Sequence, residues 1–268
     1  MKNIPTNGIG VYGVTSAGDE LFVLLHQDSD QVAIYSINDY QFLRHLNLPG
    51  LKPHKNNNLT SCVRYMCLFM SDYNNRCIHR YDLANSDTSE WSEGLRGSPC
   101  GLSVTPDCNL LVACQQPSKL VELSANGGHC VREIALQADI VSPWHGIKLK
   151  SGGYAVCHGL SDNDLHRVCV VDNSGTVKCS YGNHNGSSAG RLNGPYGLGV
   201  LSVDEDRQFI FAADFGNGRV VFLSPMLEFV CCVSEGLSHP GPSRLFLHDT
   251  TRRLYVGQSR GDVVVYTV

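Results

Sequence analysis

Short apolar runs, each closed by a cluster of Gly, Asn or Asp, recur from one end of the chain to the other. Runs of this kind divided by turn residues predict consecutive antiparallel strands. The clearest stretch is Tyr181 to Leu223. There a glycine-punctuated loop leads to Pro195-Tyr196-Gly197, an apolar run to Val200, a charged turn, a strand from Phe209 to Ala213, the turn Asp214 to Arg219 and a strand from Val220 to Leu223. Aligning on the pair that opens the first apolar run gives six copies, at Gly13-Val14, Ser61-Cys62, Gly101-Leu102, Gly146-Ile147, Gly197-Leu198 and Ser243-Arg244. Their spacing, roughly 40 to 50 residues, is that of a four-stranded propeller blade. The pattern therefore predicts an all-β, six-bladed β-propeller of antiparallel blades, with residues 1–268 as one domain.

Within the second unit the expected strands are Cys62 to Tyr65, Met66 to Met70 and Cys77 to Tyr81, with a poor fourth near Trp91. The sixth unit stops after Val263 to Tyr266 and lacks a fourth strand. Lys2 to Ile4 are the candidates to supply it, which would close the ring and cover an edge. The best helical signal, Ser86 to Gly94, is short and falls where an inter-strand loop belongs.

Composition narrows the picture. Apolar residues make up 42% of the chain and charged ones 17%, which supports a folded core over disorder. With a formal net charge of -4 and a pI near 6.2, no global basic field draws in nucleic acid. Residues Met1 to Gly8 lack the apolar core of a secretory signal, and no run approaches a membrane span, so a cytoplasmic protein with no membrane partner is expected. The twelve cysteines sit inside strand patterns without any Cys-x-x-Cys, and are expected as reduced, mostly buried thiols.

Tyr181-Gly182, Gly186, Gly190, Arg191-Leu192-Asn193 and Pro195-Tyr196-Gly197, followed by Asp214-Phe215-Gly216-Asn217-Gly218-Arg219-Val220, resemble an NHL repeat. Asp72-Tyr73-Asn74-Asn75-Arg76-Cys77-Ile78 is a shortened copy, and the remaining units keep fragments such as Pro143-Trp144-His145-Gly146-Ile147. The resemblance implies a domain like the C-terminal propeller of tripartite-motif proteins, which binds protein or structured RNA on one face. Asp214 with Arg219, and Asp72 with Arg76, read as turn-fixing pairs.

In an up-and-down blade the start of the innermost strand and the end of the second share one rim. That rim gathers Tyr12, Cys100, His145, Tyr196 and Arg244 with His26, Asp72, Cys114, His158, Asp214 and Gln258. Tyr12, Tyr73, Tyr196 and Phe215 offer flat contacts there, and Arg76, Arg191, Arg219 and Arg244 charge-assisted ones; His145 lies among them. The expected ligand-binding set is Tyr12, Tyr73, His145, Tyr196, Phe215, Arg219 and Arg244. Lys52, His54 and Lys55 suggest RNA, but Asp28, Asp30, Asp72, Asp162, Asp164 and Asp214 fall on the same side. A non-catalytic module for a protein or peptide is the expectation, with RNA second and no cofactor. The alternative is a metal-dependent hydrolase or lyase in which His26, His145 and His158 hold a divalent ion such as zinc. Gluconolactonase-like motifs are missing from the first unit, and no Gly-x-Ser-x-Gly, phosphate loop or His-Glu-x-x-His occurs.

Overall fold

The second strand of each unit is apolar without alternation, as expected of a strand covered on both faces. The computed structural model shows why: blades stack radially, and each inner pair of strands is sandwiched between neighbours. It describes residues 1–26, 31–48, 50–52, 54–91, 95–159, 164–204, 207–239 and 241–268, with His26 and Asn47 through their backbones alone.

After β1 (Lys2–Ile4), blade 1 comprises β2 (Gly10–Ala17), β3 (Glu20–His26), β4 (Gln31–Ser36) and β5 (Phe42–Asn47). Blade 2 is β6 (Leu59–Cys62), β7 (Cys67–Asp72), β8 (Cys77–Asp82) and β9 (Thr88–Trp91). Blade 3 is β10 (Ser98–Val104), β11 (Leu110–Gln115), β12 (Lys119–Leu123) and β13 (Cys130–Ala135). Blade 4 has β14 (Pro143–Lys148), β15 (Tyr154–His158), β16 (Leu165–Val171) and β17 (Val177–His184). Blade 5 has β18 (Pro195–Ser202), β19 (Gln208–Asp214), β20 (Arg219–Leu223) and β21 (Phe229–Val233). Blade 6 is β22 (Pro242–His248), β23 (Arg253–Gln258) and β24 (Val263–Thr267), completed by β1. Each blade is a four-stranded antiparallel sheet, in sequence order in blades 1 to 5 and ordered β22, β23, β24, β1 in blade 6, and the innermost strands touch in a closed circuit β2, β6, β10, β14, β18, β22 and back to β2.

The core is divided among the blade interfaces. Leu24, Val32, Leu68 and Met70 pack blade 1 on blade 2, and Leu111, Leu120, Tyr154 and Val156 pack blade 3 on blade 4. Ile4 and Val263 join Leu21 and Tyr255 between blades 6 and 1. Lys2, Asn3 and Ile4 pair with Val265, Val264 and Val263, so the expected closure by the N-terminal strand is present.

One strand expectation is corrected. The inner strand of blade 2 lies at Leu59–Cys62, because Val63 to Met66 form the following turn, with Met66 at φ 44° and its N–H on the Val63 carbonyl. The fourth strand expected near Trp91 is present as β9, Thr88–Trp91, paired to β8, and the short helical signal that overlaps it forms no helix among the described residues, with 92–94 outside them. All twelve cysteines are free thiols, but Cys130, Cys231 and Cys232 are exposed on outer strands. Among the described residues no helix is long and apolar enough to cross a membrane.

Candidate functional site

Five of the six innermost strands begin with a register break, between Val11 and Gly13, Pro99 and Leu102, Pro143 and His145, Pro195 and Gly197, and Pro242 and Arg244. A bulge turns its extra residue away from the ladder, and here that residue is Tyr12, Trp144, Tyr196 or Ser243, with Cys100 and Gly101 in blade 3. Only glycine fits at Gly101, where a Cβ would meet the Trp144 carbonyl oxygen at 2.3 Å. Gly10 opposes His26, Pro143 opposes His158 and Pro195 opposes Asp214, so the rim anticipated from the repeat is the one observed.

The last residue of the second strand fixes the loop that leads into its own blade. Asp214 Oδ1 accepts the Asn193 N–H at 2.6 Å, Asp72 Oδ2 the Lys52 N–H at 3.0 Å, and Gln258 Oε1 the Ser238 N–H at 2.5 Å. Asp214 also accepts from Asn217 Nδ2 at 2.8 Å and Arg219 Nε at 2.7 Å, and Arg219 donates to the Ser187 and Arg191 carbonyls. The Asp214–Arg219 pair is thus a turn fixture, with the carboxylate fully buried. Asp72 does not pair with Arg76, which is exposed at φ 58°; it is bonded by Asn75 and by His79 Nε2 at 3.4 Å.

Arg244 and His145 lie at the axis, buried. Arg244 donates to the carbonyls of Tyr12 (3.0 Å), Ser243 (2.9 Å) and Asn57 (3.2 Å), joining blades 6, 1 and 2. His145 donates from Nε2 to the Leu102 carbonyl at 2.9 Å and accepts the Leu198 N–H on Nδ1 at 3.2 Å, joining blades 3, 4 and 5. Burial holds the His145 imidazole down to about 4. Both side chains also line a cavity of about 370 Å³ along the axis, walled by Leu102, Ile147, Val200 and Leu247 and a belt of Thr15, Ser61 and Ser103 hydroxyls.

The aromatic candidates separate into two groups. Tyr196 lies between Trp144, at 4.3 Å between ring centroids, and Phe215, at 4.5 Å. Trp144 is 3% exposed and anchored by Nε1–H on the Gly159 carbonyl, whereas Tyr196 and Phe215 are half-buried. Tyr12 is also half-buried, near Tyr196 and Arg244. Tyr73 stacks flat on His54 at 4.4 Å and donates to Gln115 Oε1 at 3.3 Å. The Trp144 platform was not among the expected ligand-binding residues; its place beside Pro143 at a blade start is the signal that marks it.

Among the described residues, neither His145 nor His158 belongs to a group of three ligand-type side chains. His158 Nε2 receives Arg167 Nε at 3.3 Å, and burial with the Arg167 charge holds this imidazole down to about 4. The side chain of His26 lies outside the described residues, as do Asp28, Asp30 and Asp162. Among the described residues, the group of ligand-type atoms that comes together is Asp72, Cys77 and His79 in blade 2, all buried and within 4.8 Å of one another. The alternation Cys77, His79 on one strand face beside Asp72 is visible in the sequence, but the pairing of β7 with β8 that brings Asp72 to it is not.

No protein-family model matches the chain, and no curated protein matches it. Solved structures resemble it as folds. A protein of unknown function from Bacteroides caccae superposes with a TM-score of 0.66 at 15% identity, over 89% of this chain and 82% of that one. A catalytically inactive virginiamycin B lyase from Staphylococcus aureus with quinupristin gives 0.65 at 10% identity, over 99% of both chains. Hydrazine synthase from Kuenenia stuttgartiensis gives 0.66 at 14%, over 98% and 97%. At these identities the likeness is one of propeller fold.

Proposed function

We propose that this propeller is a recognition module without chemistry of its own, which takes a protein or peptide segment across the face where its inner strands begin. The carrying observation is the Trp144–Tyr196–Phe215 stack: a buried ring holds two half-exposed rings in fixed orientation, as at binding hot spots. Ordering such rings on contact costs little, because packing has already restricted them.

The ionisable groups of the rim support the same reading. Asp214, Arg219, His145 and Arg244 are each committed to bonds that hold loops or blades. The NHL-like stretch Tyr181 to Leu223 agrees with it, since propellers of that family bind macromolecules on this face. RNA is the second ligand class; Lys52 and Lys55 are exposed there, but the chain carries a net charge of -4. A hydrolase or lyase built on His26, His145 and His158 has less support, because both nitrogens of His145 are already engaged.

Peptides selected from a phage-displayed random library on the wild-type chain are the probes for this reading. Tyr196→Ala and Phe215→Ala should each weaken them about tenfold or more, roughly 1.4 kcal/mol, with little change in melting temperature. Phe229→Ser, on the outer edge, should leave affinity unchanged. Equal affinity across all three variants would remove the proposed face, and sub-micromolar binding to an RNA pool that falls steeply with salt would change the ligand class.

A further inference from the structure

A residue at or near the start of the third strand of a blade faces the end of the second, and in three blades it is cationic. Lys119 opposes Cys114, Arg167 opposes His158 and Arg219 opposes Asp214. Each cation has an anion: Lys119 meets Glu133 at 2.8 Å, Arg167 meets Asp139 at 2.7 Å and Arg219 meets Asp214 at 2.7 Å. Blade 2 keeps the anions and lacks the cation. Asp72 is buried at the equivalent of Asp214, and Glu90 opposes His79 as Glu133 opposes Val121. The position between them is Cys77.

Asp72 opposes Cys77, and His79 follows two residues on, so the three share one face of blade 2. His79 Nε2 lies 3.4 Å from Asp72 Oδ2 and 3.7 Å from Cys77 Sγ. Nitrogen, oxygen and sulfur ligands of a tetrahedral zinc stand about 3.3 to 3.7 Å apart, given metal–ligand distances near 2.0 to 2.3 Å. Glu90 lies within interaction distance of the Cys77 thiol from the neighbouring outer strand. The Asp72 carboxylate is already oriented by the Lys52 and Asn75 donors, as a metal-binding carboxylate is by its outer partners.

We propose that blade 2 binds one thiophilic divalent cation of the zinc class through Asp72, Cys77 and His79, with Glu90 or water in the fourth position, the ion standing where three other blades carry a basic side chain. On binding, the Cys77 S–H bond breaks and its proton leaves to solvent, and the His79 proton moves from Nε2 to Nδ1, freeing Nε2 for the metal. No electron changes hands.

Cobalt(II) titration of the reduced full chain tests this, because a thiolate ligand gives a charge-transfer band. The wild type should take up one equivalent with that band, and zinc should displace it. Cys77→Ser should lose the band and weaken zinc binding at least tenfold. Cys169→Ser should keep both, since the comparable contact of Cys169 Sγ with His158 Nε2, at 3.6 Å, has Arg167 beside it. Cys77→Lys, which installs the side chain that blade 3 uses, should fold and melt at a temperature that zinc does not alter, whereas zinc raises the melting temperature of the wild type. A wild-type chain that gives no thiolate–cobalt band, or a band that survives Cys77→Ser, overturns the proposal.

Discussion

His145 and Arg244 are buried polar side chains near the axis, and each is retained by satisfying backbone groups of neighbouring blades. For His145 this requires the neutral ring, and His158 is held neutral by burial and by Arg167. Their folded values, about 4, lie below the unfolded value near 6.5. Between those limits the unfolded chain binds protons that the folded chain does not, so stability falls as pH falls from about 6.5 to about 4. The combined variant His145→Gln with His158→Gln should show a shallower loss of urea midpoint over that window than the wild type. An unchanged slope would mean that neither ring is held neutral. The sequence shows both histidines and their place on the rim. It does not show that the bulges bring the Leu102 carbonyl and the Leu198 N–H onto the ring nitrogens of His145, so a ligand-like residue and an inter-blade bolt look alike.

At the scale of elements, regular repeats were legible and compensations between them were not. The turn at Asp214 was readable because Asn217, Gly218 and Arg219 follow it in order, and Gly218 indeed sits at φ 60°. The same turn at Asp72 misled, because its partner His79 lies further along β8 and Arg76 only resembles the basic residue of blade 5. Likewise the inner strand of blade 2 was misplaced because the apolar Val63, Tyr65 and Met66 belong to a turn. The closing strand β1 was found from what blade 6 lacks. Ile4 is fully buried against Val263 and Tyr255, so Ile4→Ala should cost about 2 to 4 kcal/mol in urea unfolding. Asn3→Ala, exposed on the same strand, should stay within about 0.5 kcal/mol. Equal effects would mean that β1 does not seal the ring.

Across the whole molecule the axis, the rim and the outer strands are chemically unlike. The axial cavity is walled by aliphatic side chains and hydroxyls, with Arg244 and His145 among its lining. The rim itself carries the half-buried Tyr12, Tyr73, Tyr196 and Phe215. The outer strands are different again: Phe229, Val230 and Val233 of β21 are exposed and form the control surface for binding. The most direct measurement of the central claim is amide hydrogen exchange of the wild-type chain with and without a library-selected peptide. Slowed exchange confined to 10–13, 193–197 and 214–218, with 229–233 unaffected, is the predicted result. Protection of 229–233 with the rim unchanged would contradict it.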